Sequence, residues 1–247
     1  MVNTIAVVSD IHLEFRDYGY ILPSVENESD TILVLAGDIS PAKTVHLHTD
    51  FFNDCVDRFK DVIYIMGNHE HYGGNFTETY DHIRKFLPED IHFINNDWVI
   101  IDGVKFVCGT MWSLIPDEDY AYVKQNLSDY YVISNFDRKF IPFDSSIEFN
   151  KFIKFLLNEV NPDEKTVVVT HHAPSYKSVA DMYLGDRLNC AFSSNCDDLI
   201  GELKPNVWIH GHHHSSSYYM LHDTRVICNP VGYPNENNEF NMTIVKI

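Results

Sequence analysis

The sequence predicts an α/β protein whose sheet has an antiparallel part. Early in the chain, short Val- and Ile-rich runs alternate with helical segments, and later the runs follow one another more directly. The runs finish in Gly, Asn, Asp or Pro, which is typical of strand ends. Alternation of strands and helices followed by consecutive strands favours a mixed sheet.

Ten of these apolar runs have the length and the Val and Ile content of strands. They are expected to form strands at residues 4–8, 31–35, 62–66, 99–101, 104–108, 166–170, 207–209, 217–221, 225–228 and 240–246.

Four segments between the runs are predicted to be helical, most of them because apolar residues recur at the spacing of an amphipathic helix. The clearest has a predicted capping box, with Ser145 before the helix and Glu148 three residues later. The helices are expected at residues 42–60, 78–87, 146–160 and 195–203.

The segment 111–143 differs from the rest because it combines eight aromatic residues in 33 with poor periodicity. A long irregular insertion is often a lid or a binding loop. The alternative is a loop that its aromatic side chains pin to the core. Both interpretations stay open from the sequence, and Tyr130 and Tyr131 are candidates for substrate contact.

The charge balance restricts the range of partners. Of the 247 residues, 18 are Lys or Arg and 36 are Asp or Glu, which gives a formal net charge of −18. Proteins that track nucleic-acid phosphates are usually basic, so duplex nucleic acid is not an expected partner. A small anionic substrate remains compatible with this negative net charge if bound metal supplies local positive charge.

The predicted compartment is the cytoplasm. No run approaches the roughly 18 apolar residues of a membrane-spanning helix, so no membrane association is expected. The first residues lack a basic region and turn polar at once, and we interpret them as a first strand rather than a signal peptide. Five scattered cysteines without a close pair predict reduced thiols.

Five of the apolar runs are followed directly by residues with metal-binding side chains. The carboxyl ends of strands form the edge at which open α/β sheets bind ligands. Such side chains are costly to bury without partners, so five coincidences of this kind predict a shared metal site. The segments are Asp10-Ile11-His12, Gly37-Asp38, Gly67-Asn68-His69-Glu70, His171-His172 and His210-Gly211-His212-His213-His214.

Each segment alone is a weak signal. The two side chains of an extended Asp-x-His lie on the same side and can hold one ion, but such a pair is often solvated surface. Gly-Asp is a common turn, and Gly-Asn-His-Glu also occurs as a helix cap. The histidine cluster favours metal over a solvated loop, and the ordered conjunction makes a metal site the leading interpretation.

Together these segments resemble the five ordered motifs of calcineurin-like metallophosphoesterases, and they span residues 10–214. Residues 167–174, 208–214 and 224–230 are similar to a bacterial and phage subgroup of unassigned substrate. The resemblance implies a four-layer α/β/β/α sandwich of two mixed sheets flanked by helices. It also implies that residues 1–247 form a single metallophosphoesterase domain with the aromatic-rich insertion.

The resemblance implies two divalent or mixed-valence transition-metal ions. Mixed nitrogen and oxygen ligands fit Mn, Fe, Zn, Co or Ni better than Ca or Mg. Asp38 would bridge the two ions, and the roles of His172, His210 and His213 stay open. By position, Asp10, His12 and His214 would hold one ion, and Asn68, His171 and His212 would hold the other.

Charge arithmetic supports this ligand set. Two divalent ions bring four positive charges, of which Asp10, Asp38 and a bridging hydroxide remove three, so about one net positive charge remains for a phosphate. Paired ions about 3.5–4 Å apart suit in-line displacement at phosphorus. By the family pattern the bridging hydroxide attacks, and His69 is the general acid that protonates the leaving-group oxygen.

The chain departs from the protein Ser/Thr phosphatases of this superfamily. Those enzymes carry arginines after Gly-Asp and before Gly-Asn-His-Glu, whereas here Ile39-Ser40-Pro41 follows the first motif and Met66 precedes the second. A phosphoprotein substrate is therefore less expected. Candidate replacements for contact with the substrate are Arg187, Asn189, Arg225 and Tyr233.

The leading hypothesis is a metal-dependent hydrolase of phosphodiester or phosphomonoester bonds that acts on a small phosphorylated substrate such as a nucleotide. The alternative from another class is a non-catalytic metal-binding scaffold, although such family members lose ligands that this chain keeps. A nuclease or nucleotide phosphodiesterase is a third hypothesis, since single strands or nucleotides can stack on aromatic residues. The oligomeric state is left open.

Overall fold

The computed structural model describes residues 4–16 and 19–247. Within these ranges the apolar runs predicted from the sequence correspond to most of the strands. The strands are β1 (Thr4–Val8), β2 (Thr31–Ala36), β3 (Asp61–Ile65), β4 (Ile91–Ile94), β5 (Asp97–Ile101), β6 (Val104–Cys108), β7 (Ser134–Asn135), β8 (Arg138–Lys139), β9 (Thr166–Val169), β10 (Val207–His210), β11 (Ser217–Leu221), β12 (Thr224–Cys228) and β13 (Thr243–Lys246).

α-Helices separate some of the strands, and the other strands follow one another directly or through short 3-10 turns. In the part of the chain that is described, no helix is both long enough and apolar enough to span a bilayer. The α-helices are α1 (Thr49–Arg58), α2 (Thr79–Arg84), α3 (Tyr120–Asn126), α4 (Asp129–Val132), α5 (Pro142–Glu159), α6 (Asn189–Phe192) and α7 (Asp197–Leu203).

The strands form two large mixed sheets. The first sheet has the order β13-β1-β2-β3-β4, with β1 to β4 parallel and β13 antiparallel to β1. The second has the order β11-β12-β10-β9-β6-β5, with antiparallel strands only at its two borders. The central strands of each sheet therefore all end at the same edge of that sheet.

The two sheets pack face to face, and helices cover both outer faces. Side chains alternate along a strand, so Ile5 and Val7 of β1 face the second sheet while Ala6 and Val8 face the helical layer. α1 and α2 cover the first sheet, and α5 and α7 cover the second. The predicted four-layer α/β/β/α sandwich is confirmed.

Two predicted helices are longer than the helices in the structure. The prediction of 42–60 is wrong in its first part, because tight turns and a 3-10 helix at Val45–Leu47 precede α1. The predicted helix 78–87 is shortened to α2. The sequence analysis also missed β4, whose run of four residues includes a histidine and gives little apolar signal.

The longest helix begins earlier than predicted. α5 starts at Pro142, and the Asp144 carboxylate accepts the backbone N–H of Ile141 at 2.9 Å. Proline suits this first position because its missing N–H has no partner in a helix anyway. The predicted capping box at Ser145 and Glu148 is therefore wrong.

The segment 111–143 is more regular than its sequence pattern indicated. It contains α3, α4 and the β7–β8 hairpin, and α5 includes its last two residues. Trp112, Tyr130 and Phe140 pack in a buried cluster with Cys190 of α6. These aromatic side chains form a small core that attaches the segment to the sandwich, as the core-pinning interpretation predicts.

Candidate metal centre

The predicted metal-binding side chains converge at one edge of the sandwich. β1, β2 and β3 of the first sheet and β9 and β10 of the second end there, and each strand leads directly into one of the five motifs. This is the edge at which parallel strands present their carboxyl ends to ligands. His12 and His214 meet there although 202 positions separate them in the chain.

The backbone turns sharply at most of these positions. Five of the seven predicted ligands have φ between 45° and 71°, in the left-handed region that residues other than glycine seldom adopt. Such conformations cluster at functional sites, where the surrounding structure maintains them. The five residues are Asp10, His12, Asp38, His212 and His214.

Two glycines allow the motif loops to approach one another. A Cβ on Gly67 would overlap the Asp38 carboxylate, and a Cβ on Gly37 would overlap the His171 ring. Only glycine leaves room for such close contact. The Gly-Asp and Gly-Asn-His motifs therefore contain glycine because metal-binding side chains occupy the adjacent space.

The first group of ligand atoms belongs to Asp10, His12 and His214, and these atoms lie within 4.8 Å of one another. His12 Nε2 lies 3.0 Å from His214 Nε2, and His214 Nε2 lies 3.6 Å from Asp10 Oδ1. Three ligand atoms at this separation can surround one cation.

The second group belongs to Asp38, His171 and His212, again within 4.8 Å of one another. His171 Nδ1 donates to the carbonyl oxygen of Ala36 at 2.9 Å, so Nε2 is the ring nitrogen that faces the site. That Nε2 lies 3.1 Å from Asn68 Oδ1, which adds a neutral oxygen to the group.

Asp38 lies between the two groups. Its Oδ2 is 3.4 Å from His171 Nε2 in the second group and 3.9 Å from His12 Nε2 in the first. Its Oδ1 accepts the backbone N–H of His69 at 2.8 Å, and the side chain is buried. This position is the one that the resemblance implied for a bridging residue.

The ring hydrogen bonds of the first group indicate that a cation belongs there. His12 Nδ1 donates to Glu14 at 3.2 Å, and His214 Nδ1 donates to Glu236 at 2.7 Å. The two Nε2 atoms therefore present lone pairs to each other. Because facing lone pairs repel unless a cation lies between them, this donor set fits a metal ion, with the carboxylates orienting the rings.

Glu70 connects the loops that carry the ligands. Its buried carboxylate accepts four hydrogen bonds, two at each oxygen. Oε1 accepts the backbone N–H of Ile39 and the hydroxyl of Tyr64, both at 2.7 Å. Oε2 accepts the backbone N–H of Asp38 at 3.0 Å and that of Gly67 at 2.7 Å. The loop role expected of Glu70 therefore has a specific basis.

His69 lies beside the two ligand groups and shares a carboxylate with His12. Glu14 Oε1 accepts Nδ1–H from His12 at 3.2 Å and from His69 at 2.9 Å. One potential ligand atom from each of these three residues also lies within 4.8 Å of the others. The two hydrogen bonds to Glu14 explain why these atoms are close together. The hydroxyl oxygen of Tyr233 lies 3.3 Å from His69 Nε2.

The surroundings of His69 favour its protonated form. Burial lowers the pKa of the ring, but the carboxylates of Asp38 and Glu14 more than offset this and raise the pKa of His69 to about 9. One face of the ring stacks on Tyr72, with centroids 3.9 Å apart. A ring held in this way can carry a proton at neutral pH.

Two of the histidines whose roles were open have hydrogen-bond partners outside the ligand groups. His210 Nε2 accepts from the Ser178 hydroxyl at 2.8 Å, and His213 Nε2 is hydrogen-bonded to the Ser193 hydroxyl at 2.8 Å. Burial lowers the pKa of His210 to about 3 and that of His213 to about 4, so both are neutral. His172 is buried with its ring 4.3 Å from the ring of His212.

A cavity of about 400 Å³ opens between the metal-binding residues and the segment 111–143. Asn68 and His69 line it on one side. Of the predicted substrate residues, Tyr130, Asn189 and Tyr233 line it as well. The structure therefore brings these three residues to the site.

Three other predicted substrate residues are not among those that line this cavity. Arg187 forms an ion pair with Asp119 on the outer surface. Arg225 lies near the start of β12, at the edge opposite the metal ligands, and donates to the carbonyl oxygen of Lys246 at 2.8 Å. Tyr131 is 58% exposed.

The sequence analysis missed Glu14, Tyr72 and Asp129, all of which adjoin the predicted site residues. Glu14 follows His12 by two positions, but it lies in the 3-10 helix Leu13–Phe15. The strand alternation expected of Asp-x-His therefore does not account for its position, because Asp10 and His12 have left-handed backbone. Asp129 is buried in α4, and its carboxylate contacts Asn68. No local pattern marks Asp129, because it comes from a distant part of the chain.

Comparison with known proteins agrees with this geometry. A profile of calcineurin-like phosphoesterases matches residues 3–216. Protein L509 of Acanthamoeba polyphaga mimivirus is 26% identical over 264 residues, which cover 95% of this chain and 92% of that protein.

Two solved structures share the fold. Phosphopantetheinyl hydrolase (PptH) of Mycobacterium tuberculosis has a TM-score of 0.74 at 16% identity, covering 99% of this chain and 95% of that one. TT1561 of Thermus thermophilus has a TM-score of 0.54 at 11% identity, covering 100% and 99%. At these identities the likeness concerns the fold.

Proposed function

Because this chain belongs to the calcineurin-like phosphoesterase family, we propose that it uses two metal ions to hydrolyse phosphodiester or phosphomonoester bonds of a small substrate. The observation that carries the proposal is the pair of ligand groups with Asp38 between them. We also propose that residues 1–247 form a single metallophosphoesterase domain.

Two ions fit the donor set better than one, because the six remaining ligands divide into two separate groups. When bound, the ions supply an activated water at neutral pH and positive charge for the phosphate oxygens. Mixed nitrogen and oxygen donors favour Mn, Fe, Zn, Co or Ni. Asp10, His12 and His214 would hold one ion, and Asn68, His171 and His212 would hold the other.

We propose His69 as the general acid. Glu14 holds Nδ1, so the second nitrogen of the ring faces Tyr233 at the cavity beside the ligands. Without bound ions, Asp38 and Glu14 raise the pKa of His69 to about 9, and a proton on the second ring nitrogen is placed to pass to the leaving-group oxygen. Tyr72 and Glu14 fix the plane of the ring during this transfer.

Two finer points follow from the same proposal. The cavity of about 400 Å³ accommodates an organic group beside the phosphate, which supports a small phosphorylated substrate, with nucleotides among the candidates. The five cysteines are free and buried, which supports a reducing compartment such as the cytoplasm.

The decisive experiment compares Asp38→Asn with the unaltered protein. Both are reconstituted separately with Mn, Zn, Co or Ni, and assayed on bis(p-nitrophenyl) phosphate and p-nitrophenyl phosphate. We expect Asp38→Asn to lose activity and to bind fewer than two equivalents of metal, because Asp38 lies near both groups. Asp163→Asn, at an exposed carboxylate before β9, is the matched control and should retain both the activity and the bound metal of the unaltered protein.

Each alternative has its own outcome. Two full equivalents of metal in Asp38→Asn would contradict the bridging role. A protein that holds both ions but hydrolyses no ester would be the non-catalytic scaffold. Preferential cleavage of single-stranded DNA or nucleotide diesters would identify the nuclease or nucleotide phosphodiesterase.

A further inference from the structure

The cavity beside the metal centre has an uneven distribution of charge. Its volume of about 400 Å³ lies within the roughly 300–1,000 Å³ of small-molecule sites. Asp129, Asp186 and Glu236 line it in addition to Asp38. Among the described residues that line it, none is Lys or Arg.

The arginine that follows Asp186 in the sequence does not offset the negative charge of these carboxylates. Arg187 follows Asp186 directly, but its guanidinium pairs with Asp119 and lies over the ring of Tyr122, 4.5 Å from the centroid. The guanidinium of Arg187 therefore has its partners on the outer surface and does not face the cavity. Among the described residues that line the cavity, positive charge would come from the ring of His69 and, once they bind, from the metal ions, all of which lie at the phosphate end.

The three carboxylates have different surroundings. Glu236 accepts from His214 and from the backbone N–H of Tyr233, so it supports the metal centre. Asp129 is buried beside the amide of Asn68. Asp186 is exposed to the cavity at its rim, where Oδ1 accepts the backbone N–H of Leu188 at 2.8 Å. Asp186 is the carboxylate that the organic group of a substrate would meet.

The remaining surface near Asp186 is neutral. Tyr183 and Phe192 contribute aromatic rings. Asn126 and Asn189 contribute amides whose NH2 groups donate to backbone carbonyl oxygens, both at 2.7 Å, which leaves their amide oxygens as acceptors. Aromatic faces pack against apolar groups and attract cations, but they offer nothing to an anion. This wall is therefore suited to uncharged or cationic groups.

We propose that this cavity selects phosphoesters whose organic group is uncharged or positively charged, and that it rejects organic groups with a second anionic charge. The proposal rests on the proposed function, because the metal ions must hold the phosphate. A second phosphate or carboxylate further along the cavity would face Asp186, and none of the described lining residues there is Lys or Arg. Nucleoside triphosphates, sugar bisphosphates and nucleic-acid strands belong to the rejected class.

Three phosphonates of equal chain length test this selectivity without turnover, because a phosphonate carbon–phosphorus bond is not hydrolysed by an esterase. They are 3-(trimethylammonio)propylphosphonate, its uncharged isostere 4,4-dimethylpentylphosphonate, and the anionic 4-phosphonobutanoate. Their dissociation constants are measured by isothermal titration calorimetry on the full chain loaded with metal. The metal content of each sample is determined in parallel.

We expect 4-phosphonobutanoate to bind roughly tenfold or more weakly than the uncharged isostere, as expected for like charges at short range in a partly buried site. The cationic probe should bind at least as tightly as the isostere. Asp186→Lys should reduce the penalty on the anionic probe by about tenfold. Asp163→Lys makes the same change of net charge far from the cavity and should leave the penalty unchanged.

The outcomes separate this inference from the function on which it rests. If the three probes bind the metal-loaded protein equally well, the metal centre stands and the selectivity is refuted. Tighter binding of 4-phosphonobutanoate than of the isostere, or an unchanged penalty in Asp186→Lys, also refutes the selectivity. If no probe binds better to metal-loaded than to chelated protein, the phosphate site itself is refuted and the selectivity with it.

Discussion

Replacing Glu70 by Gln tests whether one buried carboxylate holds the ligand loops in place. Burial and the charge of Asp38 raise the pKa of Glu70 to about 7, so the comparison is made above that pH, where the change removes a charge and one acceptor atom while it preserves the shape of the side chain. The carboxylate accepts from Ile39 and Tyr64 at one oxygen and from Asp38 and Gly67 at the other. A glutamine amide has one acceptor oxygen and one donor nitrogen, so it cannot serve all four donors.

The cost follows from counting the donors that remain. With the amide nitrogen at the Oε2 position, the N–H groups of Asp38 and Gly67 both lose their acceptor. With the nitrogen at the Oε1 position, the Tyr64 hydroxyl can rotate to accept, and only the N–H of Ile39 is unpaired. A buried unpaired donor costs about 1–3 kcal/mol, and the surviving hydrogen bonds lose their charge, so the free energy of unfolding should fall by about 2–4 kcal/mol.

The assay is urea unfolding in the presence of a chelator, so that bound metal does not contribute to stability. The chain is expected to stay folded under these conditions, because its main core lies between the sheets and their helices. Glu202→Gln, at an exposed position of α7, is the control and should change the free energy of unfolding by less than about 0.5 kcal/mol. In a second measurement, Glu70→Gln should bind metal more weakly, because the Asp38 loop loses an anchor.

The reasoning would be refuted if Glu70→Gln matched the Glu202→Gln control in stability and kept full metal affinity. That result would mean that the loops after β2 and β3 hold their positions without the four hydrogen bonds.

Three further predictions concern single side chains. His69→Asn should keep both metal ions and lose activity by ~10²–10⁴-fold on alkyl esters but much less on p-nitrophenyl esters, whose leaving group departs without a proton; an equal loss on both esters, or a lost metal, would contradict the acid role. Tyr130 is buried and Tyr131 is 58% exposed, so Tyr130→Ala should cost about 3 kcal/mol of stability and Tyr131→Ala less than about 0.5 kcal/mol; similar costs by thermal unfolding would refute this difference. Burial lowers the pKa of His71 to about 3, below its unfolded value of about 6.5, so the unfolded chain binds the proton first and stability falls as the pH drops from 6.5 towards 3. His71→Leu should flatten this decline, and an unchanged slope of unfolding free energy between pH 6 and pH 4 would count against the assignment.

The convergence of the proposed metal ligands could be predicted from the sequence because each lies just beyond a buried strand. A strand rich in Val and Ile can be recognised from the local sequence. The residues that follow such a strand must lie at the edge of the sheet where the strand ends. Glu14 could not be predicted in this way, because it lies in a 3-10 helix after left-handed turns at Asp10 and His12 rather than in an extended segment. The location of Arg225 could also have been predicted, because it begins a strand whose other end points to the site.

Other features depend on contacts that no local pattern records. The start of α5 is determined by the bond from Ile141 to Asp144, which competes with the capping box expected at Ser145. Asp129 reaches Asn68 only because the insertion folds back over the metal edge with its own aromatic core. The residues that line the cavity likewise depend on how the insertion packs over this edge, so they could be identified only from the structure.

The proposed metal centre lies across the seam between the two sheets, and this makes it sensitive to how the sheets are spaced. Asp10 and His12 come from the first sheet and His214 from the second, while Asn68 and His171 divide in the same way. A shift of one sheet against the other by a fraction of an ångström would therefore change the distance between the ions rather than move them together. Packing of the side chains between the sheets, far from any substrate, thus acts as the spacer that sets the reaction geometry, and core substitutions there should alter catalytic rate before they unfold the protein.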